Sequence, residues 1–307
     1  MSVRATVNER VQWGQESVAG TGVSASLRPL GLDRLTLNPV RPQGRTRSAG
    51  REMQTGVAKQ KVYSKFEFEG PLCLKTAPYL FSACLESQTS SPFTYQPNPD
   101  GIDTIKTLTI EAGSAQRASK AAYCVVAGFR IRFTRTDVAI NGEGFGRKRQ
   151  EGITLTTTPT EIVKAIADPE LVSVLLGTSI GGLAEVEFLE AEMNQPPRWA
   201  PHITLNVATD SFDDIKKIAN DPTLNLVLEA MADAATLFTA AEAKTGYFAR
   251  VIATDIDGNT LQLTAYGTLE TPTEADNDGV MGSTFALHLE PHTDLGGAAY
   301  EIVITHV

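Results

Sequence analysis

The pattern of apolar and polar positions divides the chain at about residue 60. Over residues 1–59 no apolar period is sustained, and Gly, Pro, Arg, Ser and Thr dominate, as around Pro39, Arg41, Pro42, Gly44 and Arg45. Such a segment builds no core and is expected to be an extended arm that orders on a partner. Beyond it the period is two. In 62–69, Val62, Ser64, Phe66 and Phe68 share one face, which predicts a strand with one side on a core. A short helix is predicted over 76–87, with Thr76 as its cap ahead of Pro78. A first hairpin follows, 103–111 returning through 121–127 around Gly113-Ser114. A second is predicted over 129–140, with Asn141-Gly142 as its turn signal.

The same order, strand, helix, hairpin, hairpin, recurs after residue 195, offset by about 140 to 155 residues, and predicts a duplicated domain. The second strand is 201–209, and Asp210-Ser211 opens a helix running through Ile215, Ile218 and Ala219. Strands 246–254 and 259–267 flank an Asp257-Gly258 turn, and 283–294 and 298–307 flank Gly296-Gly297. Between the halves a helix is predicted over 160–176, opened by Thr160 and closed at Gly177. A further helix is predicted over 223–244. The expected fold is mainly β with short helices, as two duplicated β-sandwich or barrel domains. The divisions are an arm at 1–59, a first domain at 60–158, a helical and strand connector at 159–194, and a second domain at 195–307.

Composition adds that 307 residues, 42% hydrophobic and 21% charged, suffice for a sizeable core. No run of 18 apolar residues occurs, so no membrane insertion is expected, and residues 1–11 carry Arg4, Glu9 and Arg10 where an export signal would be apolar. The chain is therefore expected to be made and first kept in a cytoplasm. Cys73, Cys84 and Cys124 are odd in number and show no Cys-x-x-Cys spacing, so buried free thiols are expected. The net charge of −9 hides a split: residues 1–150 hold 21 basic and 12 acidic side chains, residues 151–307 hold 6 and 24. A basic and an acidic half suit head-to-tail contact between copies.

Candidate chemistry is sparse. Asp255-Ile256-Asp257-Gly258-Asn259 alternates oxygen side chains as a calcium loop does, but lacks the later glutamate, and a hairpin turn explains it. The glycines of Gly142-Glu143-Gly144-Phe145-Gly146 lie in a hairpin and not between strand and helix, which excludes a dinucleotide loop. His288 and His292 would chelate zinc only on a helix, which Pro291 opposes. Glu185, Glu187, Glu190 and Glu192 read as a solvated face of a strand. With His202 and His306 added, no catalytic set assembles, so no catalytic, cofactor-binding or metal residue is assigned and no enzyme is expected.

Trp13-Gly14-Gln15-Glu16, with Gly20-Thr21-Gly22-Val23 after it, resembles the opening of the major tail (tail tube) proteins of siphophages. The likeness continues in Leu35 to Pro39, in Arg41-Pro42-Gln43-Gly44, in Ala139 to Arg147, in Gly152 to Thr156, and at Asp278-Gly279 before Thr284 to Leu289. It spans most of the chain, and its specificity lies in the order of the phrases.

The resemblance implies rings of β-sandwich or barrel domains whose inner sheets join into a tube through which DNA passes. The partners it implies are the chain itself, the tape measure and other tail proteins, and DNA in non-specific transit. The location implied is the virion tail, assembled in the host bacterial cytoplasm. With the duplication, a ring takes three two-domain chains, and six single-domain chains are the alternative. Two other readings stand beside this one. Another β-rich virion protein, a tail terminator or a decoration, would differ in forming no long filament. A carbohydrate-binding β-sandwich would expose several aromatics on one sheet face, whereas aromatics here are 7% and scattered.

Overall fold

The computed structural model describes residues 10–41, 43–46, 56–59, 61–90, 92–98, 104–114, 116–203, 210–229, 232–277 and 280–307. It is mainly β, with 56% strand against 8% helix. The organising element is the strand Arg117–Thr134, 18 residues long. Its first part pairs with Leu108–Ser114 and Gln150–Ile153, and from Val125 onward it pairs with Val138–Gly146 and Phe188–Gln195. The ladder breaks between Ala121 and Cys124, where Tyr123 takes a φ of 53°. A positive φ re-aims the strand, so one segment leaves a small sheet and enters a large one.

The small sheet runs Thr160–Ile162, Leu27–Pro29, Arg10–Gln15, Leu108–Ser114, the early bridging strand, and Gln150–Ile153. In the large sheet eight strands lie side by side and antiparallel. Their order is Arg34–Val40, Tyr63–Pro71, Val138–Gly146, the late bridging strand, Phe188–Gln195, Thr223–Glu229, Val280–Leu289 and Thr273–Asn277. The first four pack on the small sheet as a sandwich. Beyond them the sheet closes: Val280–Leu289 pairs with Thr260–Leu269, that with Gly246–Thr254, that with Val172–Gly177, and that with Ala184–Val186, which runs on into Phe188–Gln195. The helix Ala232–Glu242 packs against this barrel through Leu237, Ala240 and Ala241, with the Phe238 ring 5.8 Å from Phe285.

One hydrophobic core runs through both halves and includes Trp13, Phe66, Phe81, Phe133, Phe285 and Tyr300, all at most 1% exposed. Each such side chain contributes about 1.5–3 kcal/mol by leaving water. The last strand, Tyr300–Thr305, pairs with Phe93–Gln96 from the first half.

Several sequence expectations need correction. Residues 10–40 are no loose arm: three of their strands belong to the sheets, and Trp13 is fully buried. Within residues 10–59, Gln43–Thr46 and Gly56–Lys59 pair apart from the sheets, prolonging the hairpin of Arg34–Val40 and Tyr63–Pro71; residues 1–9, 42 and 47–55 lie outside the described ones. Asn141-Gly142 is not a turn but mid-strand, and the chain reverses at residues 134–137, where Thr134 Oγ1 accepts from the Asp137 N–H at 3.0 Å. Gly142 and Gly144 are there for space, since a Cβ on either would fall 2.5 and 2.2 Å from the Phe68 and Phe66 rings.

The helix expected over 160–176 is replaced by the strands Thr160–Ile162 and Val172–Gly177 around a 3-10 turn at Pro169–Leu171. Pro169 breaks a helix, and the intervening backbone bonds to distant chain, Leu74 N–H to Ala165 O at 2.7 Å and Asp168 N–H to Thr254 O at 2.8 Å. Residues 159–194 thus supply barrel strands instead of a helical connector. The helix expected from Asp210 to Ala219 is the strand Asp214–Lys217, paired with Trp199–His202, so the repeated order of elements fails at that step. Residues 204–209 of the strand expected over 201–209 lie outside the described ones.

The helix expected over 223–244 begins as the strand Thr223–Glu229, where Leu224, Leu226 and Leu228 alternate inward, and is helical only over Ala232–Glu242. The helix expected over 76–87 is Ala77–Ser82; Thr76 precedes it without a side-chain capping bond, and Glu86–Ser90 is a strand. Gly296-Gly297 joins no hairpin, because Val280–Leu289 and Tyr300–Thr305 lie end to end along Thr260–Leu269.

Candidate functional site

The phrase at residues 13–23 forms a buried polar knot. Gly14 lets the returning chain lie on its strand, since a Cβ there would sit 2.3 Å from the Ser24 carbonyl oxygen. Glu16 is 3% exposed, and its carboxyl oxygens accept four hydrogen bonds. Oε2 takes the Gly20 N–H at 2.8 Å and the Thr107 hydroxyl at 2.6 Å; Oε1 takes the Thr109 hydroxyl at 2.7 Å and the Tyr123 N–H at 2.9 Å. One side chain thereby fixes the Gly20 turn, the edge of Leu108–Ser114 and the bend at Tyr123. Glu111 does the same nearby, accepting from Gln12 Nε2 at 3.0 Å and the Thr156 N–H at 2.8 Å.

Around Tyr123 the halves of the chain meet. Its hydroxyl donates to Asp214 Oδ1 at 2.9 Å, and burial, together with that carboxylate, pushes the phenol up from 10.0 to about 12. The Arg147 guanidinium stacks 4.8 Å over its ring and donates to the Gly20 carbonyl at 3.0 Å. Beside it lies a cavity of about 680 Å³, whose lining includes Gly20, Lys120, Arg147, Lys148, Arg149 and Asp210. Lys148 Nζ lies 2.7 Å from Asp210 Oδ2, and its hydrogen bond lowers that carboxyl's pKa. Arg149 donates to the Leu37 carbonyl on the outermost strand of the large sheet and pairs with Glu151.

Asp255 is 2% exposed and spends both oxygens on its own turn, with the Asp257 N–H at 3.0 Å, the Asn259 N–H at 2.8 Å and Asn259 Nδ2 at 2.7 Å. His288 is in a strand and 2.6 Å from Glu270, while His292 packs on the Tyr266 ring at 4.3 Å in the following loop. His306 Nε2 is 3.1 Å from the Leu74 carbonyl, and His202 ends the strand Trp199–His202. All three cysteines are buried and free. Among the described residues no three His, Cys, Asp or Glu side chains group as a metal site, and no helix is long and apolar enough to cross a membrane.

The solvent face of the eight-stranded sheet carries charges in cross-strand pairs. Arg34 meets Glu69 at 3.5 Å, Lys65 meets Glu143 at 2.6 Å, Arg132 meets Glu190 at 2.7 Å, Arg135 meets Glu229 at 3.4 Å, and Arg130 meets Glu192. The glutamates at 190 and 192 are therefore ion-pair partners along a strand. Donating to the Glu143 carboxylate raises the Lys65 pKa, and donating to that of Glu190 raises the Arg132 pKa.

The buried roles of Glu16 and Glu111, and the half-buried bridge of Arg149 to the Leu37 carbonyl, escaped the sequence reading. The one signal for Glu16 was an acidic residue set between Trp13-Gly14 and a Gly20-Thr21 turn. A scan of protein-family models finds none that matches the chain, and a search of curated proteins finds no match.

Proposed function

We propose that the chain is a structural subunit of a siphophage tail tube, assembling into stacked rings around a channel for DNA. The observation that carries this reading is the eight-stranded antiparallel sheet. Both its terminal strands, Arg34–Val40 and Thr273–Asn277, pair on one side only among the described residues. Such edges are a hazard in a lone chain and an asset in a ring. Eight is even, so the up-down alternation of one chain continues unbroken into the next.

Two further features support it. Four strands of the sheet come from the sandwich and four from the barrel side, joined by the ladder from Phe129 to Thr134 against Phe188–Gln195. A chain with two such units favours a ring of three. On the solvent face each of Arg34, Lys65, Arg130, Arg132 and Arg135 faces a glutamate, so phosphate would find no unneutralised cation among them to hold it.

Negative-stain electron microscopy of concentrated protein, with mass photometry of the same sample, tests this. Hollow rings or tubes in steps of three chains are expected, and steps of six support single-domain rings instead. Chains that stay monomeric at every salt and concentration overturn the reading.

A further inference from the structure

We propose that the chain binds a second protein at an acidic notch in the barrel wall, and that the occupant is an extended segment with two arginines or lysines at alternate positions around an apolar residue. The notch and its occupant require neither a ring nor a tube, so they go beyond the subunit reading above.

The notch lies where one strand outruns its neighbours. Ala184–Val186 runs on into Phe188–Gln195; Val172–Gly177 pairs with residues 184–186 and the bridging strand with 190–195, and neither ladder covers residues 187–189. At this break opens a cavity of about 570 Å³, with Glu170, Glu185 and Glu187 around it and Val172, Val186 and Phe188 half-buried in its floor. Glu170 is held in place: its N–H donates to Asp168 Oδ1 at 3.0 Å, and the Asp168 N–H to the Thr254 carbonyl at 2.8 Å.

Charge selects the occupant. Among the described residues the one basic side chain of the lining, Arg135, is turned to Glu229 at 3.4 Å, and no cation meets Glu170, Glu185 or Glu187. By contrast Glu69, Glu143, Glu190 and Glu192 each have a basic neighbour within the chain. Like charges gathered in this way repel one another in the free chain, and a partner's cations remove that repulsion. Among the described residues no three carboxylates group closely enough to hold a metal ion, so the charge calls for a wider occupant.

Spacing selects its form. Glu185 and Glu187 are exposed while Val186 and Phe188 are half-buried, the alternation of an extended strand, which sets the two carboxylates about 7 Å apart on one face. Basic residues at i and i+2 of an extended segment repeat at that same distance. Their alkyl stems lie along the apolar floor while their heads reach the carboxylates, and the residue between them faces Val186 and Phe188.

The test uses the full-length chain at low salt and the fluorescence polarisation of a labelled peptide, Gly-Arg-Val-Arg-Gly, beside its citrulline twin, which keeps the shape and loses the charge. The wild type is expected to bind the arginine peptide at least about tenfold tighter than the twin, and E185Q/E187Q to lose that advantage. The same variant should melt no lower than wild type, because it relieves repulsion and breaks no bond within the chain. Equal binding of the two peptides by the wild type overturns the proposal, as does undiminished binding by E185Q/E187Q. A lower melting temperature of the variant overturns it too, since the glutamates would then have partners inside the chain. Calcium that binds the wild type but not the variant, with no binding of the peptide, replaces the protein partner by an ion. Peptide binding is read on unassembled chains, so a failure here leaves the subunit reading standing, and chains that never form rings leave the notch standing.

Discussion

Glu16 and Asp255 are both buried acidic residues that lock a turn, and they do so in opposite ways. Asp255 takes all its donors from residues 257 and 259, within its own turn. Glu16 takes one donor from its loop, at Gly20, and three from chain about a hundred residues away, at Thr107, Thr109 and Tyr123. The first is a local staple that any hairpin could carry. The second is a tertiary device, since it holds the bend by which one strand serves two sheets.

Removing each side chain should expose that difference most strongly. Glu16→Ala orphans the buried Tyr123 N–H and the Thr107 and Thr109 hydroxyls, along with the half-buried Gly20 N–H, and each orphaned buried donor costs about 1–3 kcal/mol, so a loss of about 4 kcal/mol is expected in urea unfolding. Asp255→Ala should cost less, about 2.5 kcal/mol: it orphans the N–H and amide of Asn259, a residue 1% exposed, while the Asp257 N–H lies at an exposed residue and rehydrates. Equal losses would erase the distinction between the two devices.

Amide replacements sharpen the comparison without changing volume. Both Glu16 oxygens accept from two donors, so Glu16→Gln must set an NH₂ against existing N–H or O–H groups, with an expected loss of about 3 kcal/mol. Asp255→Asn keeps the oxygen that takes the two backbone N–H groups, and a flip of the Asn259 amide facing the other gives up only the bond it accepts from the Val307 N–H at 3.2 Å, so about 1 kcal/mol is expected. Melting temperatures of the two amide variants check this directly.

The glycines beside the two devices rank in the same way. Gly20 (φ 78°) and Gly258 (φ 89°) both need a conformation that L residues resist, at about 1 kcal/mol. A Cβ at Gly20 would also press 2.9 Å from an Arg147 nitrogen, whereas at Gly258 its nearest neighbour is Val307 at 3.5 Å. Gly20→Ala should therefore cost about 2 kcal/mol and Gly258→Ala about 1 kcal/mol in the same unfolding series.

This contrast also explains what could be read from the sequence. The Asp257-Gly258 turn and its flanking strands were legible, because the residues that make them are adjacent in the chain. So was the period-two strand at Phe66 and Phe68. Asn141-Gly142 misled because those glycines answer to rings on a neighbouring strand, a demand with no local mark. The stretch 160–176 carries helix boundaries at Thr160 and Gly177 but lost to pairing with residues 72–74 and 254. Residues 10–40 looked coreless because their apolar partners lie at Leu108, Ile110 and Phe66. Of the candidate site, the phrase around Trp13 and Glu16 stood out, while the cavity and the two sheet edges depend on contacts across 34 to 277 that no window of sequence spans.

A comparably small effect concerns Tyr123, which links the Glu16 knot to the second half of the chain. Tyr123→Phe removes the bond to Asp214 and should cost about 1 kcal/mol near neutral pH. The more telling readout is pH. Folding raises the phenol from 10.0 to about 12, so its neutral form is favoured in the native state. The stability this supplies is complete below pH 10 and is lost as pH rises from 10 toward 12, because the unfolded chain releases its proton first. Burial also raises the Tyr95 phenol and the Cys124 thiol, so the variant keeps part of the alkaline decline. The stability difference between wild type and Tyr123→Phe should narrow from pH 9 to pH 11. Parallel curves over that range would mean that the hydroxyl is already solvated and that Asp214 does not tie the bend to strand Asp214–Lys217.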